Sequence, residues 1–163
     1  MPDLHFRHAR SEDAARLQAI RRAAFAPVFA SFRSILGDEI YELAQRRDDE
    51  AQEGLLASMM AADSGWTLYV AQSGDEVVGF VAVRLDPETL VGEVGLNAVD
   101  PSRAGQGIGT AMYELAVATM KEAGMKVATV GTGGDASHAP ARRAYQKAGF
   151  DVAIPSIWMF RKL

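Results

Sequence analysis

Residues Arg103-Ala104-Gly105-Gln106-Gly107-Ile108-Gly109-Thr110 place three glycines at alternate positions directly ahead of an amphipathic helical pattern. Glycine reaches positive φ without strain and lets main-chain N–H groups approach a bulky anion with no Cβ in the way. A helix beginning there adds its unpaired first-turn N–H groups and the positive end of its dipole, which suits a diphosphate, with the Thr110 hydroxyl as a further donor. The spacing is neither G-x-G-x-x-G, since the sixth position is Thr110, nor a P-loop, since no lysine occurs between Arg84 and Lys121. A tight strand-to-helix turn that binds nothing is the other reading of the same glycines. With no cysteine in the chain, a catalytic thiol, a thiolate zinc site and a disulfide framework are excluded. His5 and His8 have no acidic cluster nearby, so no metal site is expected, and no Ser-His-Asp arrangement is legible.

The elements that must carry this loop follow from periodicity. Leu4 to Ala9 reads as a strand, and Ser11 caps a helix with Glu12 and Asp13 in its first turn and Leu17, Ile20 and Ala24 on its apolar side. Pro27 is expected to end or bend that helix. A second helical region spans residues 37 to 62. Alternating runs 66–71 and 77–83 around Ser73-Gly74-Asp75 form an antiparallel hairpin, and 90–99 adds a third strand. After the glycine loop come a helix to Gly124, a strand 126–130, a Gly131-Thr132-Gly133-Gly134 loop, a helix near 140–148 and a last extended stretch ending in Ile157-Trp158-Met159-Phe160. The expected order is β, α, α, β, β, β, α, β, α, β. This is an α/β chain of α+β type with a mixed, mostly antiparallel sheet flanked by helices, in one domain spanning residues 1–163 with no repeat or linker.

Composition narrows the function. The chain is 48% hydrophobic and 23% charged, enough to bury one core, and 17 basic against 21 acidic residues leave a net charge of −4. Nucleic acid is therefore not an expected partner. The opening Met1-Pro2-Asp3-Leu4-His5-Phe6-Arg7 lacks a signal-peptide pattern and no apolar run approaches a membrane span, so the expected location is cytoplasmic, with no membrane partner.

Val99-Asp100-Pro101-Ser102-Arg103-Ala104-Gly105-Gln106-Gly107-Ile108-Gly109-Thr110-Ala111-Met112, followed by Ala141-Arg142-Arg143-Ala144-Tyr145-Gln146-Lys147-Ala148-Gly149-Phe150, resembles the GNAT superfamily of acyl-CoA-dependent N-acyltransferases. With the Gly79-Phe80-Val81 hairpin the likeness covers about residues 66 to 150. It departs from the family at Ala104, where Gln or Arg is usual, with Arg103 one place earlier, and at His138, where many members carry Asn. The resemblance implies a sheet splayed at an acetyl-CoA site, no metal, and direct attack of a primary amine on the thioester in a ternary complex.

Under that mechanism the amine must be neutral. A lysine-like amine near pKa 10.4 sits about 3.4 units above pH 7, a cost on the order of 4 to 5 kcal/mol, so a base helps. Glu93 is the candidate, as the one acidic residue in Val91-Gly92-Glu93-Val94-Gly95-Leu96-Asn97-Ala98-Val99 and at the family's position for a glutamate base. By alternation Glu93, Gly95, Asn97 and Val99 share a face unless Gly95 marks a bulge. Tyr145 matches the tyrosine that protonates the departing thiolate, and Asn97 is a weaker candidate to orient water or substrate. The resemblance assigns the oxyanion to the Val99 main-chain N–H and cofactor contacts to Arg103, Gly105, Gln106, Gly107, Ile108, Gly109, Thr110, His138 and Lys147, with Arg142 or Arg143 as other cations for a 3′-phosphate. Phe25, Phe29, Phe32, Tyr41, Trp158 and Phe160 are available to wall the acceptor. Dimers are common among relatives, so a homodimer is one expectation. A non-catalytic acyl-CoA-binding sensor or partner protein of the same fold is the alternative, and another nucleotide-binding protein the second.

Overall fold

The computed structural model describes residues 3–163. Its elements are β1 (Leu4–His8), α1 (Ala14–Leu36), α2 (Asp38–Ala44), α3 (Arg46–Glu50), α4 (Gln52–Met60), β2 (Trp66–Ser73), β3 (Glu76–Asp86), β4 (Val91–Val99), α5 (Ile108–Glu122), β5 (Val127–Val130) and α6 (Ala139–Lys147). The five strands form one sheet in the order β1-β2-β3-β4-β5, antiparallel except for the parallel β4–β5 pair. Among the described residues no helix is long and apolar enough to cross a membrane.

Each face of the sheet has its own core. On one face Leu17 and Ile20 of α1 and Leu56 and Met59 of α4 cover Leu68, Val70, Phe80, Ala82, Leu96 and Ala98. On the other, Ile108, Met112, Tyr113, Ala116 and Met120 of α5 and Tyr145 of α6 cover Ala71, Val78, Val81, Val83 and Val94. Covered on both sides, β3 reads as an almost continuous apolar run, and truncating its fully buried Phe80 to Ala costs about 3–5 kcal/mol.

Three expectations are corrected. Helix α1 continues through Pro27 for 23 residues, because contacts on both sides of the proline, Leu17 and Ile20 before it and Ser31 and Phe32 after it, hold the helix against the sheet and the 135–138 turn. The second helical region is three short helices, broken at Gln45 and Ala51. The last strand is absent: residues 151–163 form no helix or strand, since alternating apolar residues become a strand only where a neighbouring edge receives their backbone hydrogen bonds.

Candidate active site

A slot opens where β4 and β5 part. They pair only from Val91–Val127 to Val94–Val130, so residues 95–99 of β4 have no strand on that side. A cavity of about 860 Å³ fills the opening. Its wall takes Gly95 to Val99, most of the glycine loop, and residues from both faces of the sheet: Ala24, Phe25 and Val28 of α1, and Tyr113, Ala144 and Tyr145 of α5 and α6.

The glycine loop is braced from below. The Asp100 carboxylate accepts hydrogen bonds from the Ser102 N–H (2.9 Å) and Oγ (2.7 Å) and from Arg16 (2.6 Å), and these bonds, the Ser102 hydroxyl foremost, hold it below the usual carboxylate range. Gly105 and Gly107 take φ of +76° and +79°. Gly107 is the N-cap of α5, and the first helical bond runs from the Ala111 N–H to the Gly107 carbonyl, which leaves the N–H groups of Ile108, Gly109 and Thr110 without helical acceptors beside the cavity. Ile108 is anchored by its buried side chain, so it can serve a ligand only through its backbone. The Arg103 guanidinium donates to Glu76 (2.5 Å), which braces the turn, and the residue also lines the cavity. Gln106 is exposed at the crest and lies outside the cavity wall.

On the α5–α6 face three neutral side chains form a directional chain. The Tyr113 hydroxyl donates to Asn97 Oδ1 (2.7 Å), and Asn97 Nδ2 donates to the Tyr145 hydroxyl oxygen (3.0 Å) and to the Gly95 carbonyl (2.9 Å). Both Asn97 amide protons and one lone pair of its oxygen are thereby engaged. Tyr145 is buried, its ring 4.3 Å from that of Tyr113, and its hydroxyl, which accepts from Asn97, belongs to a residue that lines the cavity. Burial first, and the neighbouring Tyr145 second, push the Tyr113 phenol far above its ordinary value, so Tyr113 remains a donor.

Glu93 stands on the opposite face. The β3–β4 register shifts between Val81 and Val83, which inserts a bulge at Gly95–Leu96. Before it, Gly92 and Val94 face α5. After it, Leu96 and Ala98 face α1, while Asn97 and Val99 face α5 and α6. The shared face expected for Glu93, Asn97 and Val99 is thus divided, as a bulge requires. A Cβ at Gly95 would lie 2.4 Å from the Trp66 ring, so the bulge can hold only glycine there without moving that ring. Glu93 lines the cavity, with its carboxylate paired to Arg84, whose guanidinium sits 4.7 Å from the Trp66 ring centre.

At the N-terminus of α6, Asp135 gathers Ser31 Oγ (2.8 Å), Ser137 Oγ and His138 Nδ1 (2.5 Å). Burial alone would raise this carboxyl, but the hydrogen bonds from Ser137, Ser31 and His138 outweigh it and hold it well below the usual range. His138 lies on the cavity wall, stacked on Phe32, and Arg142 donates to the Gly133 and Asp135 carbonyls, fixing the glycine-rich 131–135 loop. Arg142 is thereby engaged, whereas Arg143 and Lys147, one turn apart, are exposed on the cavity rim. Of the aromatic residues considered for the acceptor wall only Phe25 lines this cavity. Tyr41 is buried and donates to Asp49 (2.7 Å), and burial first and that carboxylate second push its phenol up to about 12. No group of three or more metal-ligating side chains occurs among the described residues.

Tyr113 had no signal in the sequence beyond a core position on an amphipathic helix. Its part follows from Asn97 turning to the α5 face, which depends on the bulge.

The sequence profile of the acetyltransferase (GNAT) family matches residues 29–150, which include the slot, the glycine loop and Tyr145. The chain belongs to the GNAT acetyltransferase family. Comparison with curated protein sequences gives no match. Among solved structures, a GNAT-family protein from Desulfovibrio desulfuricans superposes with a TM-score of 0.67 at 22% identity, covering 93% of this chain and 87% of its own. A GNAT-family acetyltransferase from Brucella melitensis in complex with acetyl-CoA gives 0.64 at 23% identity, with 93% and 85% coverage. The ribosomal-protein-S18-alanine N-acetyltransferase of Escherichia coli gives 0.66 at 17% identity, with 93% and 79% coverage. At these identities the neighbours establish a shared GNAT fold.

Proposed function

We propose that this GNAT protein transfers the acetyl group of acetyl-CoA to a primary amine by direct attack in a ternary complex. What supports the reading is the Tyr113–Asn97–Tyr145 chain, in which Asn97 donates to the Tyr145 oxygen on the wall of the slot between β4 and β5, where the Tyr145 hydroxyl can give its proton to a bound group. In this reading the diphosphate of the substrate rests on the N–H groups of Gly105, Gly107, Ile108, Gly109 and Thr110, where α5 ends its dipole. Lys147 and Arg143 on the rim meet the 3′-phosphate, and His138 borders the pantetheine arm. The arm lies along residues 95–99, and the Val99 N–H donates to the thioester oxygen as charge develops. The amine arrives from the α1 face and first gives a proton to Glu93, directly or through water, so that its freed lone pair can bond to the carbonyl carbon. The C–S bond then breaks, and the thiolate takes the Tyr145 proton. No cysteine exists to carry an acetyl-enzyme thioester.

Thermal unfolding with acetyl-CoA, CoA, NAD and ATP tests the first half. At about 100 times the dissociation constant a bound ligand adds about 2.7 kcal/mol, a rise of several degrees, and this is expected for acetyl-CoA and CoA only. A panel of small amines, amino acids, aminoglycosides and peptides screened for thiol release tests the second. A shift without release from any of them favours the acyl-CoA sensor; no shift removes the transferase reading.

A further inference from the structure

The wall of the slot is divided by charge. Every residue that α1 and α4 contribute to it is apolar: Ala24, Phe25, Pro27, Val28 and Leu55. Leu55 is 39% exposed, and Phe25 is half-buried with its ring beside that of Phe29. An apolar ligand covering such side chains takes them out of water, which favours its binding. The polar residues of the same helices are engaged elsewhere. Gln18 donates to the Glu53 carbonyl (2.8 Å) and accepts from Arg21 (2.8 Å), Ser31 donates to Asp135 (2.8 Å), and Arg33 pairs with Asp38 and Glu42. The acidic residues of α2 are tied in turn, Glu42 also to Arg46 and Glu39 to Lys162. None of these lines the cavity.

Among the described residues Glu93 is the only carboxylate on the wall, against Arg103 in the glycine-loop turn and Arg143 and Lys147 on α6. Arg84, the partner of Glu93, is half-exposed, and a solvated pair of this kind gives way to another cation at little cost. Room for one positive charge thus lies beside helices whose side chains offer no hydrogen bond. Given the amine transfer proposed above, we infer that the acceptor is a primary amine with a single positive charge on an alkyl or aryl body, the ammonium meeting Glu93 and the body covering Phe25, Val28 and Leu55. A second ammonium would lie against the apolar wall or beside the cations of the other end, and hydroxyl groups would lose water with no partner in return. Polyamines and aminosugars are therefore poor acceptors.

Thiol release from acetyl-CoA is to be compared for straight-chain amines from propylamine to hexylamine, with phenylethylamine, spermidine and kanamycin beside them. A buried methylene contributes about 0.8 kcal/mol, so kcat/KM is expected to rise about fourfold with each one, through KM rather than kcat because the wall holds ground and transition states alike. Phenylethylamine should rank with hexylamine, and spermidine and kanamycin about 10-fold or more below both. Leu55→Glu, a partly exposed position and a good helix former, places a second carboxylate on the wall, and hexamethylenediamine is then expected to overtake hexylamine. Calorimetric titration of the same amines into the CoA-loaded chain reads the wall apart from the chemistry. Binding that tightens along the series with no thiol released would uphold the apolar seat and remove only the transfer step, whereas no amine bound or acetylated would overturn both. Turnover with a flat series, a preference for spermidine or kanamycin, or an unchanged ratio of diamine to monoamine in a folded Leu55→Glu chain would each overturn the apolar acceptor while leaving the transferase in place.

Discussion

The two faces of β4 handle polar groups in opposite ways. On the α5–α6 side Tyr113, Asn97 and Tyr145 are neutral, mostly buried and joined in one hydrogen-bond direction. On the α1 side Glu93 and Arg84 are charged and partly exposed, at 37% and 51%, with Arg84 stacked on Trp66. Buried neutral chains hold a fixed geometry because any break leaves a donor or acceptor unpaired, whereas a solvated ion pair exchanges partners at little cost. The fold has thus built one rigid neutral side and one adjustable charged side, with Asn97 and Glu93 four residues apart on the strand and separated by a single bulge.

Breaking the rigid side should cost most. Tyr145→Phe removes only the donated proton, and turnover is expected to fall about 10²- to 10⁴-fold with acetyl-CoA affinity almost unchanged, as steady-state kinetics beside calorimetric titration would show. Gly107→Val forces a β-branched residue to φ +79° at the α5 N-cap, and acetyl-CoA affinity should drop about 10- to 100-fold in the same titration while the chain stays folded. Asn97→Leu strands the Tyr113 hydroxyl, so denaturant unfolding should show a loss of about 1–3 kcal/mol, with turnover reduced as Tyr145 loses its orienting donor.

The Asp135 network extends the comparison to pH. Its folded pKa is depressed, so its stabilisation is complete above the unfolded value of about 3.9 and is lost as pH falls below that toward the folded value. The melting-temperature gap between wild type and Asp135→Asn should therefore be widest near pH 6 to 7 and narrow by pH 3. The smallest effect belongs to the exposed side: Arg84→Ala should change stability by under about 1 kcal/mol, while making the rate respond differently to salt as Glu93 loses its partner.

How far the sequence reached depended on how local each feature is. The glycine loop and the helix behind it were legible because positive φ and free first-turn N–H groups follow from neighbouring residues. The face of Glu93 was not, since the bulge at Gly95 depends on pairing with Val81 and Val83 and on the Trp66 ring, far away in sequence. Tyr113 drew no reading from the sequence; the structure buries it in the core, and only Asn97 reaching across from β4 gives its hydroxyl a partner. Pro27 is the reverse case, a strong local stop overridden by contacts on both sides of it. Residues 151–163 carry the alternating apolar side chains of a strand, yet pair with no edge of the sheet, because pairing is decided by neighbours far away in sequence.

The division of β4 into a donor face and a charged face is tested most directly by a crystal structure of the acetyl-CoA complex. The account predicts the pantetheine arm along residues 95–99, the sulfur within hydrogen-bond reach of the Tyr145 hydroxyl, and the open side of the thioester carbonyl turned toward α1 and Glu93. A thioester bound with its sulfur on the α1 side, or a cofactor seated away from the α5 N-terminus, would contradict it.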